Sequence, residues 1–413
     1  MITKLTVKAF KSLAELELEL GQVNVLIGAN GSGKSNLLEA IGVLGAAASG
    51  RVDDGSLLRR GVRPGVPALY KTCLRGIRMP PFVQFGADWA RDGHEASYRV
   101  GLGNPIKDPA PAWQYRTETL EDDGVVKVSR GPRSKPPNPE AGWAALHLVE
   151  FEPASPAASI LKRLQEYVIY SPTTATLRGL VPDSQTREPV GLSGGRLPEA
   201  VLGLLRARRR QPKVPPGSDE RPGHEPWRYH RRVCSQALSL IDWATAYYAS
   251  PRLAGVLSPS VPSGRMTLRF QDRFMRRNRD VLTAYDASEG ALYVLMAAVL
   301  GAHPEVPPFL AVDNFDHSLN PRLACALVER FCGWVLDNSS PRQVLLTTHN
   351  PLVLDGLDLT DERIRLFAVD RTSKGRTVVQ RVLVDEALMQ KAREGWTLSR
   401  LWVMGEIGGV PNV

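Results

Sequence analysis

The chain has 413 residues, 43% of them hydrophobic, with 52 Lys+Arg against 43 Asp+Glu for a formal net charge of +9. That length holds two or three domains, each with a core of its own, and excludes disorder as the dominant state. Four scattered cysteines (Cys73, Cys234, Cys325, Cys332) exclude a disulfide framework and point to a reducing, cytoplasmic compartment.

Residues 1–27 read as strands: Leu16, Leu18 and Leu20 alternate with Glu15, Glu17 and Glu19, as on a half-buried sheet. Val23 to Ile27 is a compact apolar run suited to a central strand. A Gly-rich turn follows, and then Leu37, Leu38, Ile41 and Leu44 recur at helical spacing. From about residue 96 to residue 285, proline-rich stretches (107–111, 132–139, 212–226) separate short strand-like and helix-like pieces, which marks an insertion. No heptad pattern runs through it, so a long coiled-coil arm is not expected. Its basic clusters at 206–210, 228–232 and 273–279 either neutralise nucleic-acid phosphates or form solvated helix faces, and residues 206–226 read as a surface loop. His224, His230 and Cys234 would hold a metal only with a fourth partner.

From Asp286 onward a helix-like apolar stretch leads to a strand over Phe309 to Val312, a helix from near Pro321 and a strand over Gln343 to Thr348. Further strands follow around 364–369 and 378–384. The apolar run at 291–302 is short of the roughly 20 residues of a membrane span, and the N-terminus lacks the features of a signal peptide, so no membrane partner is expected. Alternating strand and helix implies an α/β sheet, mostly parallel, built from both ends of the chain. The expected segments are 1–95, 96–285 and 286–413.

Gly28-Ala29-Asn30-Gly31-Ser32-Gly33-Lys34-Ser35 fits the phosphate-loop pattern at every fixed position and lies between a predicted strand and a predicted helix. Its glycines let backbone N–H groups curl around phosphates, with the helix N-terminus facing the same anion. Lys34 would reach the β- and γ-phosphates of ATP, and the Ser35 hydroxyl would ligate Mg²⁺. The second metal carboxylate belongs at the end of a neighbouring apolar strand. Phe309-Leu310-Ala311-Val312-Asp313 makes Asp313 the candidate.

These motifs resemble the ABC-type ATPases of the RecF/SMC and OLD group. The likeness is carried by Val7 to Ser12, Val25 to Glu39, Asp286-Ala287-Ser288-Glu289-Gly290, Asp313 to Pro321 and Thr347-Thr348-His349-Asn350-Pro351. The resemblance implies a P-loop NTPase head with a large α+β insertion, two copies of which close around two ATP molecules. Ser288-Glu289-Gly290, 25 residues before Asp313, then corresponds to the signature that caps the partner's nucleotide. His317-Ser318-Leu319-Asn320 takes the place of the D-loop at the dimer interface, and His349 that of the switch histidine. Leu192-Ser193-Gly194-Gly195-Arg196 looks like a transporter signature but lies 120 residues before Asp313; its other reading is a Gly turn before a helix near Pro198. Gln84 is the candidate for the Q-loop, or simply a strand residue.

Asn314 departs from the family, which usually places Glu directly after the metal Asp to polarise the attacking water. An amide is no general base. Asp316 is the substitute if its loop reaches the water; otherwise the head binds ATP and turns over slowly. Only 64 residues follow His349, which argues against an appended nuclease. The leading expectation is an ATP-operated sensor of a bacterial antiviral defence system, pairing as a homodimer or higher oligomer and controlling a separate effector. The alternatives are a RecF-like DNA repair ATPase and a non-hydrolysing scaffold stabilised by ATP. The apolar stretch 398–411 docks on its own core or on a partner.

Overall fold

The computed structural model describes all residues except 135–136, 209–225, 252–257, 259, 262–263 and 410–413. Arg209, Arg210 and His224 therefore lie outside the described residues. Two strands, β1 (Ile2–Phe10) and β2 (Leu13–Glu19), form the first hairpin, with Val7 opposite Leu16 and Leu5 opposite Leu18. After them, β3 (Val23–Ile27) enters a different sheet, while β4 (Val83–Arg91), β5 (His94–Gly103), β6 (Gln114–Asp122) and β7 (Val125–Arg130) extend the hairpin. The result is a six-stranded antiparallel sheet in the order β2-β1-β4-β5-β6-β7. Its tight turns are Asp92-Gly93 and Asp123-Gly124, all four residues at positive φ, the backbone that two-residue hairpin loops require.

The second six-stranded sheet is mixed. It adds β8 (Val168–Tyr170), and its strand order is completed by β12 (Phe309–Val312), β13 (Gln343–Thr348), β14 (Ile364–Arg371) and β15 (Thr377–Val382), once β9 (Ala244–Pro251), β10 (Met266–Asp272) and β11 (Val281–Thr283) have formed a small antiparallel sheet of their own. The order is β15-β14-β3-β13-β12-β8, with only β15 antiparallel to its neighbour. Every residue of β3, β12 and β13 is buried, because both faces of the sheet are covered.

Successive residues feed opposite cores. Val25, Leu310 and Leu346 pack with the helices Glu289–Ala302 and Pro321–Leu336. Leu26, Ala311 and Leu345 pack with the helices Lys34–Ala48 and Pro156–Glu166 and with the antiparallel sheet. The β9–β11 sheet and the helices Leu197–Ala207 and Pro226–Ser239 join the first of these cores.

The expected segment boundary at 95/96 falls inside β5. Residues 96–130 continue the sheet begun by β1, and Val168–Tyr170 pairs with β12 in the nucleotide sheet. Proline ends strands locally but does not say which sheet the next strand joins. Among the described residues no helix is long and apolar enough to cross a membrane.

Candidate nucleotide site

The phosphate loop leaves the C-terminal end of β3 and enters the helix Lys34–Ala48. Gly33 has φ +113°, and a Cβ there would lie 2.2 Å from Thr377 Oγ1; one on Gly28 would lie 2.2 Å from the Val369 carbonyl oxygen. These close approaches explain why the loop needs glycine at both positions. No acidic residue stands in the first turn of the following helix, so its positive end is left for an anion.

Lys34 is 4% exposed. Its Nζ donates to the carbonyls of Gly28 (2.7 Å) and Ala29 (3.0 Å) and lies 3.2 Å from His349 Nδ1 at the end of β13. Burial lowers its pKa to about 8 against the opposing pull of Asp313 and Asp316. Burial, and then Lys34, push His349 below its usual value.

Ser35 Oγ donates to Asp313 Oδ2 at 2.9 Å, and Thr347 Oγ1 donates to Asp313 Oδ1 at 2.5 Å while accepting Asn314 N–H at 2.8 Å. The Asp313 amide is held by the Tyr170 carbonyl of β8 at 2.8 Å. Asn314 has φ +55°, a left-handed conformation that asparagine tolerates better than most residues. Asp316 Oδ1 and Ser32 Oγ are buried and have no hydrogen-bond partner.

These groups fit a magnesium–triphosphate. Ser35 and Asp313 are paired hard oxygen donors, the loop amides and Lys34 are donors for phosphate, and Ser32 Oγ is an orphaned hydroxyl in the cradle itself. Among the described residues no cluster of three His, Cys, Asp or Glu is arranged for a metal.

Ser288 lies apart from this cluster, exposed at the N-cap of the helix Glu289–Ala302, which Glu289 and Gly290 begin. A Cβ on Gly290 would lie 3.2 Å from Leu323 Cδ2, so this turn packs closely on the helix that follows His317-Ser318-Leu319-Asn320. Within that loop Ser318 has φ +59°, and the Asn320 side chain caps the helix Pro321–Leu336 by accepting Leu323 N–H at 2.9 Å. His317 is exposed and lies against the Tyr293 ring, with centroids 5.6 Å apart.

The Ser193-Gly194-Gly195 turn is closed around an internal anion. Asp183 Oδ2 accepts N–H groups from Ser193 (2.8 Å) and Gly195 (3.0 Å), and the helix Leu197–Ala207 follows. Gln84 lies within β4 opposite Lys8 and Gly101, in the antiparallel sheet. His230 Nε2 contacts the Ala302 carbonyl at 3.1 Å, and Cys234 is buried.

A family model described as an AAA ATPase domain matches residues 1–53, and one described as AAA domain, putative AbiEii toxin, Type IV TA system matches residues 206–355. The DNA replication and repair protein RecF of Magnetococcus marinus is 37% identical over 109 residues, 25% of this chain and 28% of that protein. RecF of Renibacterium salmoninarum is 49% identical over 140 residues, 32% of this chain and 33% of that one. The chain thus spans about a third or less of the curated relatives it matches.

An Smc head bound to the C-winged helix domain of ScpA shares the fold with TM-score 0.53 and 14% identity, over 94% of this chain and 99% of that one. A Pyrococcus furiosus Smc head with an extended coiled coil, bound to the C-terminal domain of ScpA, gives 0.51 and 12%, over 96% and 99%. Together the matched segments and the shared fold support an ABC-type ATPase head of the RecF/SMC kind.

The motifs left three supports of the loop unread. Thr347 stands in the same run as His349, but only the fold places its hydroxyl on Asp313. Thr377 Oγ1 lies 2.6 Å from the Ser32 carbonyl and 2.7 Å from Ser12 Oγ. Glu39, 3% exposed, is bonded by Lys11 and, at 2.6 Å, by Arg63 Nε. The spacing of Glu39 on a helix that is buried along most of its length was the one available signal for this last network, since a buried carboxylate needs cations.

Proposed function

We propose that this head binds Mg²⁺–ATP at residues 28–35 and closes on a second copy, with Ser288-Glu289-Gly290 of each copy meeting the nucleotide held by the other. The observation that carries this reading is the convergence of Lys34, Ser35, Asp313 and His349 at the ends of β3, β12 and β13. Ser288 presents a hydroxyl that does not cap its own helix, which suits it to a phosphate elsewhere.

In this reading Lys34 and the loop amides neutralise phosphate oxygens, and Ser35 and Asp313 hold the metal, which supplies further positive charge when bound. His317-Ser318-Leu319-Asn320 lie at the contact between copies. Asp316 orients water and takes its proton, since Asn314 cannot. Light scattering with a non-hydrolysable ATP analogue tests the pairing. The wild type should double in mass, Lys34→Ala should lose tight nucleotide binding, and Ser288→Arg should bind nucleotide yet stay monomeric; an ATP-dependent mass unchanged by Ser288→Arg would overturn the role given to Ser288.

The setting we favour is a cytoplasmic defence system in which closure and opening hold or release a separate effector. The family model over residues 206–355, named for a putative AbiEii toxin, supports it. A second reading, a DNA-repair head, draws on the RecF likeness and on the exposed Arg273, Arg276, Arg277 and Arg279 between β10 and β11. DNA retention that requires ATP and falls steeply with salt would select it. Residues 96–285 would supply the partner or DNA surface in either case. Bound but unhydrolysed ATP would favour a nucleotide-held switch or the scaffold.

A further inference from the structure

The hydroxyl of Ser288 is already spoken for on one side. Ser288 has the extended backbone of an N-cap (φ −60°, ψ 144°), from which a serine side chain ordinarily accepts an N–H of its own first turn, yet it makes no such bond. The indole Nε1–H of Trp243 donates to Ser288 Oγ instead, at 3.2 Å. An indole nitrogen only donates, so Ser288 Oγ accepts with one lone pair and keeps its single proton to give away.

The indole is itself fixed. Its ring packs on buried Phe270 with centroids 5.3 Å apart, and its backbone carbonyl accepts Arg273 N–H at 3.0 Å. On the other side Arg178 Nη2 donates to the Ala287 carbonyl at 3.2 Å, which pins the backbone just before the serine. The first-turn amides of the helix Glu289–Ala302 have no side-chain cap, so an outward hydroxyl proton and open N–H groups stand together.

We propose that Trp243 is a positioning residue that turns the Ser288 hydroxyl into an outward donor for the terminal phosphate of the nucleotide held by a second copy. The inference rests on the pairing described under Proposed function. It makes the indole N–H, rather than the ring, the functional group.

The test is dimer affinity with Mg²⁺ and a non-hydrolysable ATP analogue, read by analytical ultracentrifugation. Trp243→Phe keeps a ring on Phe270 and deletes the donor, so nucleotide affinity of the monomer should stay unchanged. Dimer dissociation should rise roughly three- to tenfold per contact, and roughly ten- to a hundredfold for the symmetric pair. In a Ser288→Ala background the same substitution should add nothing, because the oxygen it acts through is gone. If Trp243→Phe perturbs folding, a benzothienylalanine at 243, which replaces N–H by sulfur in the same shape, isolates the donor.

A wild-type dimer matched in affinity by both Trp243 variants overturns the role of Trp243 alone. No nucleotide-dependent dimer in the wild type overturns the pairing and this role with it.

Discussion

Lys34 Nζ and His349 Nδ1 lie 3.2 Å apart, joining the phosphate loop to the end of β13. An ammonium only donates, so Nδ1 is the acceptor and the ring proton sits on Nε2, where it can be given to a phosphate oxygen. A histidine with a lowered pKa stays neutral and leaves the lysine as the cation of the pair.

The lysine sets a pH dependence. Its pKa is about 8 in the free protein, and a triphosphate would favour the charged form, so binding above pH 8 must take up a proton. ATP affinity should be level below about pH 8 and fall by up to roughly tenfold per pH unit above it. The free protein should show the opposite slope: between pH 8 and the ordinary lysine value of 10.5 the unfolded chain holds a proton that the native one has released, so this group favours folding as pH rises. Calorimetry in buffers of different ionisation heat measures the proton uptake. Affinity independent of pH up to 9.5 would mean that Lys34 does not meet the phosphates.

Thr347 is wholly buried, and its hydroxyl serves Asp313 and the Asn314 amide together. Thr347→Val leaves that amide unpaired and one carboxylate oxygen without its donor, a cost of about 1–3 kcal/mol. The Mg²⁺ needed for half-saturation should rise several-fold, with metal-free nucleotide binding nearly unchanged, because only the metal carboxylate is loosened. Thr347→Ser should restore both values. Denaturant melts and Mg²⁺ titrations check this, and an unchanged metal requirement would leave Thr347 a purely structural residue.

What could be read from the chain before the fold was known depended on how local the physics is. Residues 28–35 declare themselves because every group that cradles a phosphate sits within eight positions. The strand ending in Asp313 shows equally well, its four apolar residues filling a two-sided core. Val168–Tyr170 does not, since three residues are too few to carry a period, and only pairing with β12 makes them a strand. Ser193-Gly194-Gly195 shows the reverse failure. Its pattern is local and suggestive, but the Asp183 carboxylate that occupies its amides is ten residues away in the chain and unmarked. Trp243 and Ser288 are 45 positions apart, beyond the reach of any periodic pattern.

In the proposed reading, Asp316 and Asn314 decide whether the head cycles. Asp316 is near enough to oppose the lowering of both the Lys34 and His349 pKa values, and its Oδ1 is buried without a partner, as a base awaiting water would be. Asp316→Asn should lower kcat roughly a hundredfold while KM changes by about twofold or less. Asn314→Glu should recover part of that loss, held back by the about 1–2 kcal/mol that a left-handed backbone costs a residue with an ordinary side chain. Phosphate release against a Lys34→Ala blank measures both. Turnover untouched in Asp316→Asn would place the base elsewhere.

Gly33 and Thr377 test whether the β14–β15 hairpin shapes the loop. Thr377 is 3% exposed, its N–H donates to the Ser12 carbonyl at 2.9 Å, and its hydroxyl touches the Ser32 carbonyl and Ser12 Oγ. Gly33→Ala meets two obstacles, a backbone at φ +113° and a Cβ 2.2 Å from Thr377 Oγ1, and should abolish tight ATP binding. Thr377→Ala removes the hydroxyl together with the γ-methyl, which also lies 3.0 Å from a Cβ on Gly33, and should weaken binding roughly three- to tenfold, the worth of one hydrogen bond. Combining the two opens the space but leaves the backbone strain, so the double variant should bind ATP better than Gly33→Ala and worse than Thr377→Ala. Nucleotide titration of the three proteins separates the terms: a double variant no better than Gly33→Ala would assign the whole effect to φ and leave Thr377 without a steric role.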